Sequence, residues 1–416
     1  MPSTTLRSIF SRRMLVALLT GFSSGLPLLL TGGTLQAWLV DEHVDIKSIG
    51  LFAVVGLPYT LKFLWSPVFD RFVLPFLGRR RGWMLVIQLC LAAALSLLGR
   101  TDPARSLWPV ALAALIVSFV SASQDIVLDA YRRESLAEHE LGFGSGLFIN
   151  GYRLALLVSG ALALFLADRI PWSSVYLIMA GALAVGVVAT FVAVEPVIEA
   201  PPPRSLREAV VDPFVEFFQR RGAVLILVFI LLYKIGDQMA SSMTTPFILD
   251  LGFSKTELAA IVKVFGMAST MLGALVGGAL MLRMRISRAL LIFGVLQAAA
   301  ILAYVALARV GKVHAVLAVA ISLEMFTAGM GTSAYAAYMA SLTNKKFTAT
   351  QYALFSSLMG VPRVFFGMMT GFVAAQLGWA GYFLFCTLSA IPGLVLIRWI
   401  ARDQPAAREP DPAAPQ

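Results

Sequence analysis

The sequence predicts an all-α membrane protein: twelve transmembrane helices in two pseudo-symmetric six-helix halves. Three observations carry this expectation. Hydrophobic residues make up 59% of the 416 and charged residues only 13%, with a mean hydropathy of +0.82. A soluble domain carries about a quarter charged residues because its surface must be wetted, and here the deficit runs along the whole length. Apolar stretches of the roughly 20 residues that cross a bilayer recur twelve times. The longest connection, 196–222, falls mid-chain and divides them six and six.

The first stretch, 14–40, has no small-residue cleavage pattern after it, so it reads as an anchor and not as a removed signal. Stretches 48–74, 82–99, 106–132, 143–167 and 173–195 complete the first half. The connection then holds Pro201, Pro202 and Pro203, which cannot continue a helix, and an amphipathic run around Phe214, Phe217 and Phe218. Stretches 223–249, 255–281, 288–308, 313–341, 348–376 and 379–401 form the second half. The expected organisation is a six-helix bundle over 1–195, a linker over 196–222, a second bundle over 223–402 and a disordered Pro-rich tail over 403–416.

Basic residues orient the chain. The side holding the N-terminus, the even-to-odd loops and the C-terminus carries 21 Lys and Arg, the other side 7, and 5 of the 33 lie inside the stretches. The positive-inside rule places both termini and the linker in the cytoplasm. A multi-pass protein of the bacterial inner membrane is expected, as a monomer in a lipid bilayer. The same bias accounts for the net charge of +10 without a nucleic-acid partner.

Several chemistries are excluded. Cys90 and Cys386 sit in apolar stretches of opposite halves, so no disulfide framework is expected. His43, His139 and His314 are scattered in loops, which argues against a metal site and against a nucleophile–base pair at membrane depth. No Gly-rich phosphate loop is present. Neither an enzyme nor a cofactor is expected, and a proton gradient is the expected source of energy.

The halves carry a repeat. Ser135-Leu136 follows the fourth stretch with Leu147-Phe148 after it; Ser341-Leu342 follows the tenth with Leu354-Phe355 after it. Arg153 in the fifth stretch and Arg363 in the eleventh stand in comparable places. Six-helix repeats with a substrate site between them are a transporter plan.

Nine charges lie inside the stretches: Lys62, Asp125, Asp129, Arg153, Lys234, Asp237, Lys263, Glu324 and Arg363. Each costs several kcal/mol, roughly, unless it faces a cavity or a partner, so together they imply a polar interior. The cations Lys62, Arg153, Lys234, Lys263 and Arg363 suit an anionic cargo, and Arg can grip a carboxylate with two parallel hydrogen bonds. For Lys234 the alternative is a local pair with Asp237, three residues on. Asp125, Glu324, Asp237 and Asp129 are candidate proton carriers, with Asp129 also placed to pair with Arg132 or Arg133. Gln36, Gln124, Asn150 and Gln238 could bond hydroxyls or amides. Tyr59, Tyr152, Tyr233, Tyr335 and Tyr338 offer flat faces with polar tips.

Between the second and third stretches lie Asp70, Arg71, Gly78, Arg79, Arg80, Arg81 and Gly82. This run resembles the acidic-basic-Gly-basic gating loop of the major facilitator superfamily, and Arg283, Arg285 and Arg288 after the eighth stretch resemble a degraded copy. More specific strings are spread along the chain: Gly25-Leu26-Pro27, Gly33 to Trp38, Lys62 to Pro67, Ser123 to Ala130, Gly151-Tyr152-Arg153, Leu232 to Asp237, Gly329 to Ser333 and Ala349-Thr350-Gln351. With these the chain resembles the AmpG family of muropeptide permeases, in the branch that includes acetyl-CoA transporters. The resemblance implies proton-driven import of N-acetylglucosaminyl-1,6-anhydro-N-acetylmuramyl peptides for cell-wall recycling, linked to β-lactamase induction. It departs in lacking the extra C-terminal helices of some members. The competing expectations are a carrier of another anionic solute, such as an acyl-CoA or organic acid, and an intramembrane enzyme.

Overall fold

The computed structural model describes residues 11–198 and 201–403, with side chains throughout these except at 46, 47, 50, 53, 255, 256, 259, 263, 264, 362–368 and 400–403. The expected tail from 404 onward lies outside the described residues.

The first half comprises α1 (Arg12–Asp41), α2 (Ile46–Leu51 to Pro67–Arg71), α3 (Arg81–Leu98), α4 (Leu107–Ser135), α5 (Leu141–Ala167) and α6 (Trp172–Val192). A linker helix, Leu206–Phe218, leads to the second. There α7 (Ala223–Asp250), α8 (Lys255–Ile261 to Met267–Met281), α9 (Ile286–Val310) and α10 (His314–Leu342) are followed by α11 (348–377) and α12 (379–403). Nine helical segments among the described residues are long and apolar enough to span a bilayer. The remaining passes are α2, α8, and the separation of α11 from α12 at Gly378, whose φ of 64° only glycine adopts freely.

Among the interrupted helices, α2 and α8 hold equivalent places in the halves and are broken for local reasons. Pro58 and Pro67 stand in the first turns of Leu57–Leu61 and Pro67–Arg71, where a missing N–H is tolerated, so α2 restarts twice. In α8 a π turn, Val262–Gly266, offsets the ladder by a residue.

The repeat expected from sequence reappears as hydrogen bonds. Trp172 at the head of α6 donates to Asp41 at the foot of α1 (3.1 Å), and Trp379 of α12 donates to Asp250 of α7 (2.6 Å). Below them, Tyr176 donates to the Leu30 carbonyl at 2.8 Å and Tyr382 to the Met239 carbonyl at 2.6 Å. Both ring pairs satisfy a buried hydroxyl while closing the first helix of a half onto its last.

Close backbone approach does the rest. A Cβ on Gly151 would lie 1.9 Å from the Leu18 carbonyl, which seats α5 on α1; one on Gly273 would lie 1.9 Å from the Phe326 carbonyl, which seats α8 on α10. Tyr233 and Tyr335, expected among the polar-tipped cavity rings, instead stack at 5.3 Å inside the second half. Their hydroxyls donate to the carbonyls of Leu290 and Ile230, so both rings are spent on packing.

The halves meet between α5 and α8. Gly146 leaves room for the Ala274 carbonyl, 2.4 Å from where a Cβ would stand. Gly146→Leu should therefore hold the halves apart at a cost of about 1–3 kcal/mol, as overpacking does. The check is a disulfide between cysteines placed on α5 and α8: its yield should fall while the protein still inserts, and an unchanged yield would contradict the contact.

Candidate functional site

The basic residues concentrate at one end of the bundle, and there the loop between α2 and α3 folds into a buried ion cluster. The Arg80 side chain is fully buried. Its Nη2 donates to Asp70 Oδ1 at 2.8 Å and Glu134 Oε1 at 2.5 Å, its Nε to Glu134 Oε2 at 2.8 Å, and its Nη1 to the Phe69 carbonyl at 2.9 Å. Glu195, after α6, accepts the backbone N–H groups of Arg80 (2.7 Å) and Arg81 (3.0 Å), and Arg81 Nε donates to the Thr190 carbonyl. Arg79 spans the Asp70 and Lys346 carbonyls at 3.2 and 3.0 Å. Arg71 lies over the Phe72 ring.

Asp70 then crosses to the second half. It accepts the backbone N–H groups of Ala349 (3.2 Å) and Thr350 (2.8 Å) and the Thr350 hydroxyl (2.8 Å). These are the unpaired amides at the start of α11, where the helix dipole favours a negative charge. One carboxylate thus joins α2, the arginine of the loop and the first turn of α11.

A ladder of charge rises from this latch along α4. Asp125, Asp129 and Arg132 share a face through their spacing. Ser24 of α1 donates to Asp125 at 2.6 Å, and Lys62 of α2 stands beside Asp125 and 3.9 Å from Asp129. Arg132 donates to Asp129 at 2.9 Å and to the Tyr352 hydroxyl of α11 at 2.7 Å, with Phe148 against its guanidinium. Tyr59 donates to Ser121 at 2.9 Å nearby.

A second cluster lies within the other half. Lys234 Nζ is 3.2 Å from Asp237 and 3.4 Å from Gln297, and Glu324 is buried beside Asp237 and Tyr304. Asp237, Gln297, Tyr304 and Glu324 thus bring buried polar atoms together around Lys234.

Three expected cargo ligands sit differently. Gln124 is 1% exposed, and both ends of its amide are taken by Ser23 of α1, because α4 and α1 pack closely there. Lys62 and Lys234 are buried in ion pairs with acids of their own half, which neutralise them at membrane depth. Arg153 differs: it is half-buried on α5 beside Tyr152 and faces no carboxylate among the described residues. Gln36 is exposed near the far end of α1. The side chains of Lys263 and Arg363 lie outside the described residues, in the π turn of α8 and in α11.

Glu134, Glu195, Tyr352 and Gln297 stand in none of the sequence motifs, and Thr350 enters only through the Ala349-Thr350-Gln351 string. Glu134 abuts the Ser135-Leu136 repeat, the one signal that pointed to it.

Removing Asp70 takes one of the two acids from Arg80, which keeps Glu134, and uncaps α11. Breaking a buried pair by deleting one partner costs about 3–5 kcal/mol, so Asp70→Ala should shift the protein away from this closed arrangement. Spin labels at Arg71→Cys and Lys345→Cys should then move apart, and an unchanged distance distribution would show that the latch is dispensable.

The sequence profile of the Major Facilitator Superfamily matches residues 14–367. The chain is 45% identical over 399 residues to the anhydromuropeptide permease of Escherichia coli, across 95% of this chain and 81% of that protein. In fold it is similar to the fucose:proton symporter of the same organism, with a TM-score of 0.72 at 11% identity, covering 94% of this chain and 98% of the other. It is likewise similar to a human organic anion transporter, with a TM-score of 0.65 at 15% identity over 94% and 99% of the two chains. This multi-pass membrane chain belongs to the Major Facilitator Superfamily and, within it, to the family of the anhydromuropeptide permeases.

Proposed function

We propose that this protein imports anhydromuropeptides across the bacterial inner membrane, with protons, for peptidoglycan recycling. The observation that carries the cargo is the 45% identity, spread over 95% of the chain, to a permease named for it. Arg153 supports it independently, as a cation on α5 with no acid beside it among the described residues. The peptide carboxylates of such a cargo supply the missing counter-charge. Both termini and the linker lie in the cytoplasm in this reading, as the distribution of 21 against 7 basic residues requires, and the carrier acts as a monomer.

The closed basic face is then the cytoplasmic gate, and the described state is the one that receives cargo from the periplasm. Arg153 holds a carboxylate by its guanidinium fork. Asp125 takes the proton. Once neutral, it no longer attracts Lys62, which turns wholly to Asp129 and competes with Arg132 for that acid. Arg132 is the side chain that bonds Tyr352 across the halves at 2.7 Å, so loosening it loosens the gate. Loss of the proton to the cytoplasm restores the ladder.

Two measurements test this. Arg153→Ala should lower uptake of labelled anhydromuropeptide into vesicles by roughly ten- to a hundred-fold, since a hydrogen bond to a charged group is worth about 1.5–3 kcal/mol. Arg153→Lys should rescue it poorly because the fork is lost. Wild-type uptake by Arg153→Ala would remove Arg153 from the cargo site, and wild-type protein indifferent to the muropeptide but active on another organic anion would overturn the cargo.

Asp125→Asn fixes the protonated form. Accumulation driven by a proton gradient should fail, while counterflow, which needs no net proton movement, continues. Gradient-driven accumulation at the wild-type level would take the coupling away from Asp125.

A further inference from the structure

The linker helix Leu206–Phe218 presents three faces, and the described residues pack against only two of them. Ala209, Pro213 and Phe217, spaced four apart, are buried; the Phe217 ring lies 5.2 Å from Phe355 of α11. A second face is acidic and clamped. Glu208 pairs with Lys346 at 2.7 Å, and the hydrogen bond from Lys346 holds its carboxyl below the ordinary glutamate range. Glu216 accepts from Gln351 at 2.6 Å and pairs with Arg220 at 2.6 Å. The same helix packs on the Pro67–Arg71 turn of α2, so it bridges α2 and α11 directly over the Asp70 latch.

The third face is apolar and, among the described residues, uncovered. Val210, Val211, Val215 and Phe218 are 44%, 44%, 47% and 54% exposed. In the chain that leaves the Pro67–Arg71 turn, on which the helix packs, Phe72, Val73 and Phe76 are also exposed. Arg204, Arg207 and Arg221 stand exposed within and at the ends of the helix. A four-residue connection, 219–222, separates Phe218 from the first residue of α7. Five residue steps reach at most about 18 Å, so this apolar face stays close to the bilayer surface.

We propose that this helix docks in the lipid leaflet at the basic face, with anionic phospholipid as its ligand. Val210, Val211, Val215 and Phe218 enter the boundary between headgroups and acyl chains, together with Phe72, Val73 and Phe76. Arg204, Arg207 and Arg221 meet lipid phosphates. A water-facing role would leave five large apolar side chains exposed on one helix, Leu206 among them, whereas an apolar face ringed by arginine is what an interfacial helix needs. Docking also fixes the buried and acidic faces on α11 and α2, so anionic lipid steadies the latch from outside.

The test needs no cargo, so its failure is separate from failure of the transport reading. Cys90 and Cys386 are replaced, and nitroxide labels are attached in turn to Val211→Cys, Val215→Cys and Gln219→Cys, all at exposed positions that leave the buried stripe intact. Each protein is reconstituted in phosphatidylcholine vesicles with and without phosphatidylglycerol. With phosphatidylglycerol, labels at 211 and 215 should collide with oxygen more than with a water-soluble nickel chelate, and the label at 219 should show the reverse. Arg207→Gln with Arg221→Gln should abolish the difference between the two vesicle types. Labels at 211 and 215 as open to the nickel chelate as the one at 219 would overturn docking. Equal immersion in both vesicle types would overturn the choice of anionic lipid. Labels open to water in vesicles but immobilised in native membranes would assign the face to a protein and overturn the proposal.

Discussion

Hydrocarbon does not solvate charge, and nearly every feature of this protein answers to that constraint. A cation at bilayer depth must be paired, face water or await a ligand. Lys62 and Lys234 are paired, each with an acid of its own half. Arg132 is paired twice and covered by a ring. Arg153 has no acid beside it among the described residues, and in the proposed reading the cargo supplies its anion. Reading charge by its compensation separates structural cations from functional ones better than reading it by depth.

The same constraint acts on the backbone. Helices satisfy their own amides, so the interior can tolerate irregular turns only where a neighbour takes up the difference. The restarts of α2 and the π turn of α8 fall in equivalent helices of the halves. In α2 they bring Lys62 and Asp70 to two levels of one polar column, with Arg80 and Glu134 at its foot. Breaks that weaken a helix as a bilayer span thereby position its charged groups.

Much of this was legible in the sequence. Composition fixes the membrane class, the apolar lengths fix the passes, and basic residues mark one face. Asp129 with Arg132 and Lys234 with Asp237 could be paired by helical spacing, because i,i+3 neighbours touch whatever the tertiary fold. Partners far apart in the chain left no such trace. Nothing local announces that Arg80 finds Glu134, that Arg132 finds Tyr352, or that Gln124 is consumed by Ser23, since each depends on which helices adjoin. The tyrosines misled for a related reason: a ring with a polar tip suits a cavity wall and a core equally, and only the carbonyls of Leu290 and Ile230 decide between them for Tyr233 and Tyr335.

Asp70 holds α11 largely through main-chain amides, those of Ala349 and Thr350. An amide is present whatever side chain hangs from it. The lock is therefore specified by sequence on one side and by bare geometry on the other, and inherited change acts on the two sides unequally. The α11 side can drift through many residues that still begin a helix there, proline at these two positions excepted. The α2 side has a single acid whose replacement removes one of two counter-charges from its arginine and the cap from the facing helix end. Mutational fragility in the closed state is concentrated in one half of the molecule, although both halves are needed to close it.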